Sequence, residues 1–192
     1  MPYLPFFTIM SVLIMLSGAT VTCHIGSNSN DFRHRIFVTS TTFNGNLGGL
    51  DGADIICTNV AADAGISGSY RAILSSSTDN AITRLNLSGE VFKKSTHRVI
   101  RVARSGTAFW NNDLQNTINV DENKTTLTGM EGPWTGTNPG GGASLATCMD
   151  WTDGTAGSFG TTGDTSTTQS AIWISANSFP CSEMRPLYCI EE

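Results

Sequence analysis

Cys181-Ser-Glu-Met-Arg-Pro-Leu-Tyr-Cys189-Ile-Glu-Glu192 closes the chain, and its reading decides the fold. Leu187 to Glu191 (LYCIE) is short and rich in strand formers, which predicts a final β-strand with Cys189 inside it. Two more cysteines stand far upstream, Cys57 in an apparently helical segment and Cys148 between long loops. Four cysteines allow three pairings. Disulfides persist outside the reducing cytosol, so this framework bears on compartment and fold together.

The other end of the chain reads as an export signal. Phe6 to Leu16 (FFTIMSVLIML) is an apolar run too short to cross a bilayer core, and small Ser17, Gly18 and Ala19 follow it. Residues 1–22 are the expected signal peptide, although no Lys or Arg opens it. Cys23, the fifth cysteine, stands where a bacterial lipoprotein signal places the thiol to be acylated; the alternative is a cysteine lost with the signal. An acylated Cys23 would hold the protein at a membrane surface by its lipid chains, so the expected location is secreted or cell-surface. About 165 residues remain, enough for one domain with a core: a flexible tether over 23–34 and the domain over 35–192. Only 14% of residues are charged, as suits a loop-heavy extracellular domain, and the net charge of −5 argues against nucleic acid.

Period and punctuation give the elements. Arg35 to Thr41 is β-branched and predicts the first strand, and Gly45 to Gly49 a turn. Asp51 then caps a helix whose Ala53, Ile56, Cys57, Val60, Ala61 and Ala64 recur on one face, with Asp54 in the first turn and Gly65 as the stop. Tyr70–Leu74, Val99–Ala103, Ala171–Ser175 and Leu187–Glu191 read as further strands. Gly136 to Gly142 and Asp153 to Gln169 read as loops. The expected class is α+β, a helix on a mainly antiparallel sheet.

The stretch from Arg35 to Ser76 resembles the N-terminal half of endostatin, a C-type-lectin-like domain. Gly49 to Cys57 (GLDGADIIC) is similar to its helix start, and Ser69 to Leu74 to the strand that follows. Trp134-Thr-Gly136 resembles the W-x-G strand of lectin-like domains, Cys148-Met-Asp-Trp151 resembles endostatin's C-x-x-W, and the Cys181 to Cys189 spacing is how such domains finish. The same pattern is similar to a bacterial, spirochaete-type surface lipoprotein domain of unassigned function. The resemblance implies a C-type-lectin-like (endostatin-like) fold with pairs Cys57 to Cys189 and Cys148 to Cys181, each stabilising by roughly 3 to 5 kcal/mol on the loop-entropy model. It also implies that Trp110, Trp134, Trp151 and Trp173 are core residues.

Motifs of catalysis are missing: no His-Glu-x-x-His, P-loop, Gly-x-Ser-x-Gly or paired-cysteine zinc spacing occurs. With His24 and His34 in the tether, His97 is the one histidine expected in the domain, with no acid within six residues. We therefore expect no enzyme and no cofactor. Calcium-dependent lectins use an E/Q-P-N/D loop and a W-N-D segment; here Asn138-Pro-Gly140 and Ala176-Asn-Ser178 stand there, lacking most acidic ligands. Asp150, Asp153 and Asp164 read as loop carboxylates, and the spaced His24 and His34 do not make endostatin's zinc cluster. No metal site is expected.

One surface signal stands out. Lys93, Lys94, Arg98, Arg101 and Arg104 are five of the eleven Lys and Arg, within twelve residues and with no acid between Glu90 and Asp113. They form the candidate site for sulfated or carboxylated polyanions, against the plainer reading of a strand edge kept soluble by charge. The function this implies is an exported, lipid-anchored surface protein that adheres to extracellular matrix proteins or glycosaminoglycans, its only membrane contact being the anchor. The alternatives are a carbohydrate-binding lectin and a structural envelope domain without a defined ligand.

Overall fold

The computed structural model describes residues 33–129, 132–169 and 171–192; the expected signal peptide, Cys23 and His24 lie outside them. The main sheet has the order β2-β7-β1-β3-β4, formed by β1 (Arg33–Val38), β2 (Tyr70–Ala72), β3 (Glu90–Lys94), β4 (Val99–Ala103) and β7 (Tyr188–Glu191). The first and last strands are antiparallel neighbours, with Phe37 opposite Cys189. β1 runs parallel to β3, with Arg33 opposite Glu90 and Arg35 opposite Phe92. A second, two-stranded sheet joins β5 (Phe159–Thr162) to β6 (Asn177–Pro180). Among the described residues three right-handed helices complete the α+β fold: α1 (Gly49–Asp63), α2 (Ala81–Leu85) and α3 (Gly106–Trp110).

Alternation along the strands divides the core in two. Phe37, Tyr70, Ala72 and Cys189 face α1, meeting its buried Ala53, Cys57 and Ala61 together with Trp134 and Trp151. Ile36, Val38, Ile190, Val91 and Val102 face the other way, toward Leu85, Phe109, Trp110 and Trp173. All four tryptophans are core residues. One disulfide joins Cys57 of α1 to Cys189 of β7, the other Cys148 to Cys181, with Cα separations of 5.5 and 5.6 Å. Both lie inside the usual span for such a bridge, and the pairing is the one implied by the endostatin resemblance.

Several local expectations need correction. The N-cap of α1 is Gly48 at φ 80°, with Asp51 inside the first turn. Asp54 accepts instead from the Ala72 N–H and from the Arg84 guanidinium at 2.7 Å, tying the helix to the strand beside it. Gly65 at φ 66° does stop α1. His34 belongs to β1 and not to a tether; it is buried, with Nδ1 2.8 Å from the Glu191 carbonyl. Ala171 to Ser175 is a turn, not a strand, closed by the Ser175 N–H on the Ala171 carbonyl. It buries the adjacent Trp173 and Ile174 and exposes Ile172, a helix-like and not an alternating pattern. The Gly/Thr/Ser stretch from Asp153 contains β5, whose buried Thr161 and Thr162 take strand geometry from their neighbours despite a loop-like composition.

Candidate functional site

Helix α1 packs against β2 and β7. The same face of the sheet continues past it over β3 and β4, and there it is open. Strand alternation puts Arg33 and Arg35 of β1, Glu90, Phe92 and Lys94 of β3, and Val99 and Arg101 of β4 on this face. Val99 is 55% exposed, and Lys94 and Arg101 are exposed beside it. Arg33, Glu90, Phe92, Val99 and Arg101 line a shallow cavity of 250 Å³. Glu90 is the single carboxylate in that lining. It accepts from Arg101 at 2.9 Å and lies 4.0 Å from Arg33, holding both guanidiniums over the strands. Arg98 is exposed in the turn between β3 and β4, next to His97.

Lys93 does not belong to this surface. β3 places it one residue out of phase with Phe92 and Lys94, so it points to the opposite face beside Val91 and is only 5% exposed. Its ammonium donates to the Thr117 carbonyl and to Asn119 Oδ1, each at 2.6 Å, and more weakly to Thr117 Oγ1 at 3.3 Å. All three acceptors are neutral, and burial pulls the amine down to about 8. Arg104 lies beyond the end of β4 and donates to the side-chain oxygen of Gln115, in the amide orientation that satisfies both groups. A bulge between Val91 and Phe92 shifts the register, and with it the face on which residues after Arg101 emerge. Of the five cations of the basic segment, the structure thus puts Lys94 and Arg101 on this face, leaves Arg98 exposed in the adjoining turn, removes Lys93, and sets Arg104 apart. It adds Arg33 and Arg35, which the sequence could not place because their neighbourhood depends on the parallel pairing of β1 with β3.

The loop carboxylates shape local turns. Asp150 accepts from the backbone N–H of Ser77 at 2.7 Å and from its hydroxyl at 2.6 Å, bonds that hold its carboxyl below the usual range. Asp153 accepts from Thr155 and Ser158, and Asp164 from Ser166. Among the described residues no three His, Cys, Asp or Glu side chains gather as a metal site. Cys148 to Trp151 forms one turn of left-handed sense, with φ of 50, 52, 55 and 64° at four successive non-glycine residues. Among the described residues no helix is long and apolar enough to cross a membrane.

The family model described as "Protein of unknown function (DUF1554)" matches residues 40–168, a span that holds α1, β3, β4 and the left-handed turn. A search of the curated proteins finds no match to the sequence. The chain belongs to the DUF1554 family.

Proposed function

We propose that the chain is an exported, lipid-anchored surface protein whose endostatin-like, C-type-lectin-like domain adheres to extracellular macromolecules through sulfate or carboxylate groups, as on glycosaminoglycans. The observation that carries this reading is the open sheet face, where Arg33, Lys94 and Arg101 stand around Phe92 and Val99 with one carboxylate between them. Guanidiniums suit sulfate and carboxylate because their planar N–H forks match two oxygens at once. Phe92 and Val99 supply apolar surface for the carbon skeleton between the charges. Two disulfides support an oxidising compartment. The pairing of the first strand with the last, locked to α1 by Cys57 and Cys189, supports the lectin-like assignment.

Heparin chromatography tests the reading. The parent domain should be retained at physiological salt with or without chelator. A Lys94→Ser, Arg98→Ser, Arg101→Ser variant should elute early, its slope of log affinity against log salt reduced by about two, on the counterion-release rule for single strands. Lys93 is left intact because its side chain serves the interior. Unchanged elution of the triple variant, or no retention of the parent, refutes the polyanion site. The anchor has its own test: detergent phase partition should move the full chain into detergent and leave Cys23→Ser in the aqueous phase.

A further inference from the structure

Glu90 is the one lining group of the open face that carries the same charge as a polyanion. It opens β3 between β1 and β4, opposite Arg33 in the parallel register, with Arg101 opposite Phe92 two residues further along. One carboxylate oxygen accepts from Arg101 Nη2 at 2.9 Å, and the other stands 4.0 Å from Arg33 Nε. The side chains of Glu90, Arg101 and Arg33 are 29, 50 and 55% exposed, so these are surface pairs that contribute little to stability. A carboxylate in this position repels every polyanion. The repulsion is offset only by a ligand that donates hydrogen bonds to it.

Glu90 can receive such bonds. A carboxylate accepts through about four lone-pair positions, and among the described residues no backbone N–H or hydroxyl donates to this one. Its side chain lines the 250 Å³ cavity and keeps part of its surface accessible, so a ligand can reach it. The cavity thus offers guanidinium donors at Arg101 and Arg33, an acceptor at Glu90, and apolar surface at Phe92 and exposed Val99. Those three kinds of group match an acidic sugar, whose ring combines an anionic substituent, neighbouring hydroxyls and a C–H face. Inorganic polyphosphate presents acceptors alone. It meets the repulsion of Glu90 with no hydrogen bond to set against it, and an unanswered charge of this kind is a common means of rejecting a wrong partner.

We propose that Glu90 determines the specificity of the open face, accepting from a hydroxyl or amide N–H of an acidic sugar whose sulfate or carboxylate lies on Arg101 and Arg33, and disfavouring polyanions that carry no donor. The inference rests on the polyanion reading of this face and narrows its ligand from any anionic chain to an anionic glycan.

The test compares the full-length, disulfide-intact protein with Glu90→Leu on two immobilised polymers: heparin, which has hydroxyl and N–H donors beside its anions, and inorganic polyphosphate, which has none. Loss of the carboxylate should tighten polyphosphate binding about threefold, the scale of a surface charge interaction. It should weaken heparin binding at least about threefold, through loss of a hydrogen bond to a charged group. Glu90→Gln, which keeps an acceptor oxygen without the charge, should tighten polyphosphate likewise and recover part of the heparin binding. Asp63→Asn removes an exposed carboxylate at the last residue of α1, changes the net charge by the same amount, and should alter neither affinity. If the parent is retained on heparin and Glu90→Leu tightens both polymers or weakens both, the role of Glu90 is overturned while the polyanion face stands. Polyphosphate binding that does not rise has the same meaning. Failure of the parent and of every variant to bind heparin refutes the face, and this inference with it.

Discussion

Raising the pH should stabilise this protein through one residue. The Lys93 amine titrates near 10.5 in an open chain and is pulled down to about 8 by burial against neutral acceptors. Between those values the unfolded chain binds a proton that the folded chain has released, so stability increases with pH across that window. Below it both forms are protonated, and the full cost of the buried cation is present; above it both are neutral and the cost is gone. The gap between the two values corresponds to at most about 3 kcal/mol, of which about 2 kcal/mol falls below pH ~9.5. The assay is urea unfolding of the parent and of Lys93→Met at several values between about pH 7 and 9.5. Lys93→Met leaves the Thr117 carbonyl and Asn119 Oδ1 without their donor, an offset that does not vary with pH. The difference between the two proteins should therefore move by about 2 kcal/mol in favour of the parent as the pH rises. A difference that stays constant would mean that Lys93 titrates normally and is hydrated, which would return it to the surface.

Three further outcomes follow from the geometry. Met149 is 69% exposed at φ 52°, so Met149→Gly should stabilise the fold by about 0.5 to 1 kcal/mol, the relief of a left-handed side chain less the entropy of glycine; a loss in urea unfolding would contradict the strain. Removing the bridge between Cys57 and Cys189, 132 residues apart, should cost about 5 kcal/mol, and the 33-residue bridge between Cys148 and Cys181 about 4, on the loop-entropy model. Paired alanine variants compared by denaturation should keep that order. Gly163→Ala places a Cβ on the Trp173 backbone carbonyl, so melting should report a loss of about 1 to 3 kcal/mol, and an unchanged melting temperature would be inconsistent with that packing.

What was legible in the sequence was the part fixed by local pattern. The inward face of α1 follows from the spacing of Ala53, Cys57 and Ala61, and the last strand from the residues around Cys189. The rest depended on partners. A strand's alternation says that Lys93 and Lys94 face opposite ways, but which face is covered is set by how far α1 reaches across the sheet. The twelve-residue basic segment therefore looked like one site and is divided by the sheet. Arg33 enters the open face only through parallel pairing with Glu90, across an interval that no local rule spans. β5 was hidden for a similar reason: its Gly and Thr residues have no apolar alternation, and it is held as a strand by β6 and by bridges to Trp134 and Thr147.

The central position of β1 has a mechanical consequence. Its first residues pair with β3 and its last with β7, so tension on the N-terminal end would load both ladders in shear along the strand axis instead of peeling an edge open one bond at a time. If β1 did slip, the chain could pay out only from Arg33 to Cys57, at most about 80 Å when fully extended. Beyond that point the bridge to Cys189 carries the load covalently into the last strand, and everything between the two cysteines stays out of the line of force. A domain pulled from this end would yield by one short, bounded extension and then hold.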